Sequence, residues 1–581
     1  MRPANFPIIR IHLAKRIFRP PNGSLVEAPV PRQFSHRPPR LLILSQASLR
    51  PQLPFLNSPI QYLANGQIPR FLSISASQKK FIKRTAHLTA YYTVVIFMWS
   101  TWLTLVCFFF LSERQERRFP SPYEWSIISR LRFRRAKWWQ VPENNEDQAF
   151  PNYARIYSEF EKVLKRLEDP KKDGEGIFEQ DEGGILVPGV GKAGFDVTAK
   201  SREWQQGYWE VLMGMGAAAE RMEGWVTDSR RRNIWSPEFI ASPSNPRPKA
   251  TLPGMPLPPP EDEQRPVTEP PETFYLKILT SKGFTTSQKL QAALAYADWL
   301  SFKKLADSAE EMYRWGLDIA IAGLPTNDPA SVIDPKTSVL SSTAPKETIT
   351  PNLVYAATSL ATHLASNSNI KAALPVYISV LRARLSADIA PYSEPRIPRD
   401  YSVMGVFLNY FDKYPYPPLP PTGDEPLLRR EEEMCDEAVL KNYIGEILFA
   451  TAGSSTQRLQ ALNWIREAVS NSTTAQRFDI VALDAALRKK CQTCEEVGLE
   501  SWGKIMTFLA AEAREKRDKA TSGGLTGLLW KIWGTKELKS KVQDLEDEEE
   551  GVVERLHKLR RKMLKEEWDA EEKKYARTFV F

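Results

Sequence analysis

"CQTC", Cys491 to Cys494, puts two thiols at the spacing of a metal-ligand pair, and thiolates are favoured ligands of closed zinc sites. Such a site needs four ligands. Cys435 offers a third, Cys107 lies inside an apolar run, and the five histidines are scattered, with His363 on an expected repeat helix. Two cysteines one helical turn apart is the better reading, and no metal is expected. Four cysteines are also too few for a disulfide scaffold. "PGVGKAG", Pro188 to Gly194, has the outline of a phosphate loop without its parts. Leu186 stands where the first glycine belongs, and Ala193 where a Ser or Thr would bind magnesium. The sequence contains no nucleophile elbow, paired-histidine zinc helix or glycine-rich dinucleotide fingerprint. The expectation is a non-enzyme with no catalytic, cofactor-binding or metal-binding residues and no cofactor.

The rest of the sequence speaks of placement. Hydrophobic residues make up 42% and charged residues 26% of 581, as in a globular protein. A multi-span transporter needs many apolar segments of about 20 residues, and one is present. The formal net charge is +9, but the basic excess sits at the start, and basic stripes further on are balanced by acids, so nucleic acid is not an expected partner. Residues 1–72 read as a mitochondrial presequence, cleaved on import. Glu27 is the sole acid between Met1 and Lys80, and "IIRIHLAKRIFR" alternates apolar and basic residues in a short amphipathic pattern. "RFLSIS", Arg70 to Ser75, is the candidate cut site.

A transmembrane helix is expected over 87–112. No Asp, Glu, Lys or Arg lies between Arg84 and Glu113, a window longer than the roughly 20 residues that cross a bilayer. Leu88, Tyr91, Tyr92, Trp99, Trp102 and Phe110 belong to it, the tyrosines near one end as an interfacial belt would have them. "KKFIKR" and "ERQERR" bound it. The more purely basic side is expected to stay behind, which leaves the N-terminus in the matrix and the C-terminal body in the intermembrane space; "RLRFRRAK" argues the other way. The expected location is the mitochondrial inner membrane, crossed once.

Residues 113–149 form a basic, aromatic juxtamembrane segment. "SPYE", Ser121 to Glu124, reads as a helix start with a capping box. Trp125, Trp138 and Trp139 among basic residues suit a headgroup layer or packing on a folded domain equally well. An all-α body follows. Residues 150–235 are helical, with Tyr153, Tyr157, Phe160, Leu164 and Leu167 on one face, then a second helix over Trp204–Trp225. The proline-rich stretch 236–272 reads as a linker or surface loop, and a second proline-rich insertion covers 390–426.

Within 273–516, helix pairs recur with the tetratricopeptide pattern of small residues between helices and a bulky residue filling the gap. One pair offers Tyr296, Ala297, Leu300, Ala309, Tyr313 and Gly316. The next offers Leu360, Ala361, Leu364, Ala373, Tyr377 and Val380, and a later one Leu448, Ala461, Ile465 and Ala468. Pro375 sits inside a second helix, where it should cost a turn. Residues 517–581 form a charged C-terminal helix. Leu538, Val542, Leu545, Val552, Leu556, Leu559, Met563 and Ala570 make a heptad-like seam flawed by Glu549 and Glu566. A coiled-coil contact with a partner through 535–575 is possible on this pattern; a solvated helix packed at its edge fits it better.

The order of parts, with pairs such as "AATSLATHL…IKAALPVYISVLRAR" and "GEILFATAG…QALNWIREAV", resembles the fungal tetratricopeptide-containing adaptor subunits of the i-AAA protease complex of the mitochondrial inner membrane. The resemblance covers about Thr85 to Glu515 and implies a degenerate repeat fold. It also implies a quality-control role, recruiting misfolded or unassembled proteins to an ATP-dependent metalloprotease, with that complex and unfolded clients as partners. The alternative is a non-catalytic scaffold or assembly factor for another inner-membrane complex.

Overall fold

A computed structural model describes residues 75–141, 151–180, 186–187, 191–192, 194–230, 233–243, 245–251, 254, 256–391, 416–522 and 535–578. The presequence and most of the 390–426 insertion lie outside them. The described chain is all-α: fourteen α-helices and a few two- or three-residue strands. It divides into two compact units, Met1–Val94 and Val95–Phe581.

Helix α1 (Ala76–Arg118) supplies every described helical residue of the first unit and continues into the second. Its start is set by Ser75, whose hydroxyl accepts from the Gln78 amide while the Gln78 side chain accepts from the Ser75 amide, a reciprocal cap. Helix continues well beyond the expected 87–112 on both sides, because nothing in "SQKKFIKR" or "ERQERR" breaks it.

In the second unit, α2 (Ile127–Gln140), α3 (Tyr153–Leu167), α4 (Arg202–Arg221) and α5 (Pro271–Thr280) enclose a first core around Phe133, Phe160, Trp204, Tyr208 and Phe274. Helices α6 (Thr286–Phe302), α7 (Ala306–Ala322), α8 (Pro351–Ser366), α9 (Ile370–Ser386) and α10 (Met434–Thr451) enclose a second. Helix α6 joins the two, giving Ala292 and Ala293 to the first core and Leu290 and Leu294 to the second. Then come α11 (Ser455–Ala475), the short α12 (Asp479–Leu483), α13 (Ala485–Ser522) and α14 (Thr535–Thr578). From α2 to α11 consecutive helices pack on one another, and α13 packs on α11, α12 and α14, close to the nearest-neighbour logic of stacked helix pairs.

Several expectations need correction. "SPYE" does not start a helix. The cap of α2 is Ser126, and its amide donates to the carboxylate of Asp173 at 2.7 Å, with the Ser126 and Ser129 hydroxyls on the same carboxylate. A carboxylate from the loop after α3 takes the positive end of α2; Ser121 turns instead to Glu116. Residues 236–272 are not a linker between bodies. Gln264–Pro266 pairs with Val226–Asp228, which also pairs with Ile234–Trp235, so the stretch leaves and re-enters one small sheet. The proline that would break a central strand sits at the strand's end, and Pro271 opens α5, where a missing N–H costs nothing. Pro375 does not end α9, which continues to Ser386.

The second proline-rich insertion is likewise closed at its base. Asp388–Ile389 pairs with Leu428–Arg429 in parallel, and Asn352 donates to the Thr422 carbonyl and the Asp424 carboxylate, both at 3.0 Å. Gly423 makes that approach possible: its φ is +77°, and a Cβ there would lie 2.2 Å from the Asn352 Oδ1. The boundary expected at 517 falls inside α13, which ends at Ser522.

Candidate membrane anchor and interaction surface

Helix α1 is the one helix among the described residues long and apolar enough to cross a membrane. Leu88, Tyr91, Tyr92, Trp99 and Trp102 are exposed on it, and Phe110 is half-buried. Its hydroxyls turn inward on the helix itself: Thr93 donates to the Thr89 carbonyl, Thr101 to that of Phe97 and Thr104 to that of Ser100, each at 2.8 Å. Such back-bonding removes polar groups that hydrocarbon would otherwise penalise.

Where the apolar run ends, the helix is clamped to the body. Glu116 pairs with both Arg130 and Arg134 of α2, the latter at 2.7 Å, and Arg134 Nη1 donates to the Ser112 carbonyl at 3.0 Å. The Arg134 side chain is 4% exposed. Burial lowers its pKa, and Glu116 opposes that shift. On the other face of α2, Phe133 packs edge-on against Trp125 and Phe160. Trp125 is buried; Trp138 and Trp139 are half-buried, taking the cations of Arg118 and Arg155 over their rings. Trp125 thus packs on the folded domain.

The residues singled out in the helix pairs meet at the helix interfaces. Ala297, Leu300, Ala309, Tyr313 and Gly316 are buried, as are Leu360, Ala361, Leu364, Ala373, Tyr377 and Val380, with Tyr296 half-buried. The two pairs repeat one another. Tyr313 donates to Asp298 and Tyr377 to the Thr362 hydroxyl, each fifteen residues back across its own pair. Every other named residue of the first pair also has a counterpart at one constant offset in the second. Beyond them, Tyr313 lies against His363 and Tyr377 against Tyr443 of the following helices. His363 is therefore a core residue, with Nε2 on the Ala306 carbonyl. In the third pair Ala461, Ile465 and Ala468 are buried and Leu448 half-buried.

Ile465 has no hydroxyl, and Gly445 opposite lets the helices close; a Cβ there would lie 2.6 Å from Ile465 Cγ1 and 3.1 Å from the Ala461 carbonyl. Gly445→Ala is expected to cost about 1–2 kcal/mol of stability, overpacking outweighing the helix propensity gained. Gly551→Ala, where nothing lies within 4 Å, is expected to stabilise by up to about 1 kcal/mol. Thermal unfolding of the two variants side by side checks both signs.

The cysteines depart from the sequence reading. Cys435, at the start of α10, is disulfide-bonded to Cys491 on α13, 56 residues on. Both are buried. Cys494, one turn further, sets its thiol on the Cys435 carbonyl at 3.7 Å, and burial pushes its pKa up to about 12. At neutral pH it is a thiol and a poor nucleophile or ligand. Among the described residues no three His, Cys, Asp or Glu side chains cluster as a metal site would require. Leu186–Val187 and Gly191–Lys192 pair as antiparallel strands.

The C-terminal seam is filled by the chain itself. Val542, Val552 and Leu559 are buried; Val552 and Leu559, with Leu545, Leu556 and Met563 partly buried, join clusters that hold Leu499, Ile505 and Leu509 of α13. Ala570 is exposed, and the Leu538 side chain lies outside the described residues. Along 535–575 the helix packs on α13, running antiparallel: Lys489 meets Glu567, Arg560 meets Glu496 and Arg514 meets Glu546. The two flaws are contacts. Glu549 accepts from Thr507 and Glu566 from Gln492. These pairs are largely exposed, so Arg560→Ala is expected to cost less than about 1 kcal/mol in urea unfolding.

A cleft of about 560 Å³ was not foreseen. Trp225, Trp299, Glu223, Glu272 and Lys303 line it, gathered from the end of α4, the small sheet, the start of α5 and the end of α6. Lys303 lies over the Trp299 ring and pairs with Glu223. The Glu272 Oε2 and Trp299 Nε1 atoms are buried without a hydrogen-bond partner among the described residues. No local motif could announce a site assembled from segments so far apart. No family model, curated protein or solved structure matches the chain.

Proposed function

We propose that the protein is a membrane-anchored, tetratricopeptide-like adaptor of the mitochondrial inner membrane that recruits misfolded or unassembled proteins to the i-AAA protease. One observation carries this reading: an apolar helix, the one of its kind among the described residues, clamped through Glu116, Arg130 and Arg134 to a stack of helix pairs. Stacked pairs offer an extended surface to a peptide segment, and the Trp225–Trp299 cleft gives that surface an aromatic hollow. A shared bilayer raises the effective concentration of the adaptor at a protease embedded in it. The basic N-terminal segment supports mitochondrial import. The Cys435–Cys491 bond supports a body on an oxidising side, as in the intermembrane space.

Co-purification of the tagged full chain in mild detergent tests the reading. Subunits of the ATP-dependent metalloprotease are expected in the eluate. A respiratory or import complex there instead, with no protease subunit, would replace the adaptor by a scaffold or assembly factor.

A further inference from the structure

Helix α2 buries one face and leaves another open. Ser129, Phe133, Arg134 and Ala136 face the body. Ile127 is 72% exposed and Ile128 50%; Leu131 and Arg132 are partly covered and Arg135 is exposed. Spacings of one, three and four place these five on one stripe of the helix. Neither Arg132 nor Arg135 has a carboxylate partner among the described residues, and "IISRLRFRRAKWWQ" contains no acid at all.

The height of this stripe is fixed by the clamp. Arg134 reaches the carbonyl of Ser112, the residue directly after the last apolar residue of α1, Leu111. If α1 spans a bilayer, Ser112 marks the level at which it leaves the hydrocarbon, and the headgroup layer beyond is several ångströms thick on each side. Helix α2 therefore lies within one side chain's reach of that layer. Exposed aliphatics flanked by arginines are the chemistry of helices that lie in an interface, where basic groups are drawn to anionic lipid.

We propose that the open stripe of α2 (Ile127, Ile128, Leu131, Arg132 and Arg135) lies in the headgroup layer of an anionic phospholipid leaflet as a second membrane contact beside α1. The proposal rests on the reading of α1 as a span. Two contacts, one through the bilayer and one along its surface, hold the body at a fixed attitude where a lone flexible stalk would let it swing.

Nitroxide labels on the full chain test this in vesicles of phosphatidylcholine and phosphatidylserine. The variants are Ile128→Cys, Leu103→Cys and Val497→Cys, each with Cys107→Ser; Cys494 is buried and the disulfide is left intact. Collision with oxygen reports lipid and collision with a water-soluble nickel chelate reports water. The label at 103 is expected to favour oxygen and the label at 497 nickel. At 128, nickel access is expected several-fold below that at 497, rising when Arg132→Gln and Arg135→Gln are added. Nickel access at 128 equal to that at 497, with 103 still in lipid, overturns the α2 contact and leaves the anchor standing. A water-exposed label at 103 overturns both.

Discussion

Reduction of the Cys435–Cys491 bond is expected to raise the opening frequency of α10 and α13 by about three orders of magnitude, read as hydrogen exchange of their amides. The bond closes a loop holding most of α10, all of α11 and α12, and the start of α13. Tying a loop of this length removes chain entropy from the unfolded state worth about 4 kcal/mol, and each 1.4 kcal/mol is a factor of ten. Both sulfurs are buried, so Cys435→Ser adds a buried hydroxyl to the loss, whereas Cys435→Ala isolates the missing bond. Reduction of the native chain should match Cys435→Ala to within a small factor. Cys107→Ser is expected to change nothing in this region. Exchange that ignores both reductant and the Cys435 variants would mean that the bond does not constrain the body.

Glu116→Ala is expected to cost about 3 kcal/mol at the junction of rod and body, because removing one partner of a buried pair leaves the other charge uncompensated. The stranded group is Arg134, 4% exposed, with Ser112 as its remaining partner. Hydrogen exchange in α2 should rise about a hundredfold, with little change in α8 and α9, which belong to the second core. Glu116→Gln keeps an acceptor and should fall between. Glu116→Leu combined with Arg134→Met should recover most of the loss, since a buried ion pair replaced by apolar groups of similar volume is often neutral. A double variant no better than Glu116→Ala would show that shape, not charge, makes the clamp.

What could be read in the sequence was local. The apolar run of α1 and the stripe Tyr157, Phe160, Leu164 and Leu167 of α3 follow from spacing alone. So do the interface positions of the helix pairs, because a small residue beside a bulky one at fixed steps is itself the packing rule. What was hidden was distant. The Cys435–Cys491 bond joins residues whose pairing spacing cannot specify. Ser121 carries a sound capping motif, yet Asp173, 47 residues from Ser126, supplies the carboxylate that α2 uses. The heptad steps of 538–570 give a seam without saying whose helix fills it, and here it is α13. Proline content marked 236–272 as unfit for a core; it could not show that Gln264–Pro266 returns to pair with Val226–Asp228.

Alkaline carbonate extraction of mitochondria carrying the full chain tests the anchor most directly. With α1 in the bilayer, the processed protein stays in the membrane pellet at pH 11 alongside integral proteins. Its release into the supernatant with peripheral proteins would contradict the account, and the adaptor role built on that anchor would go with it.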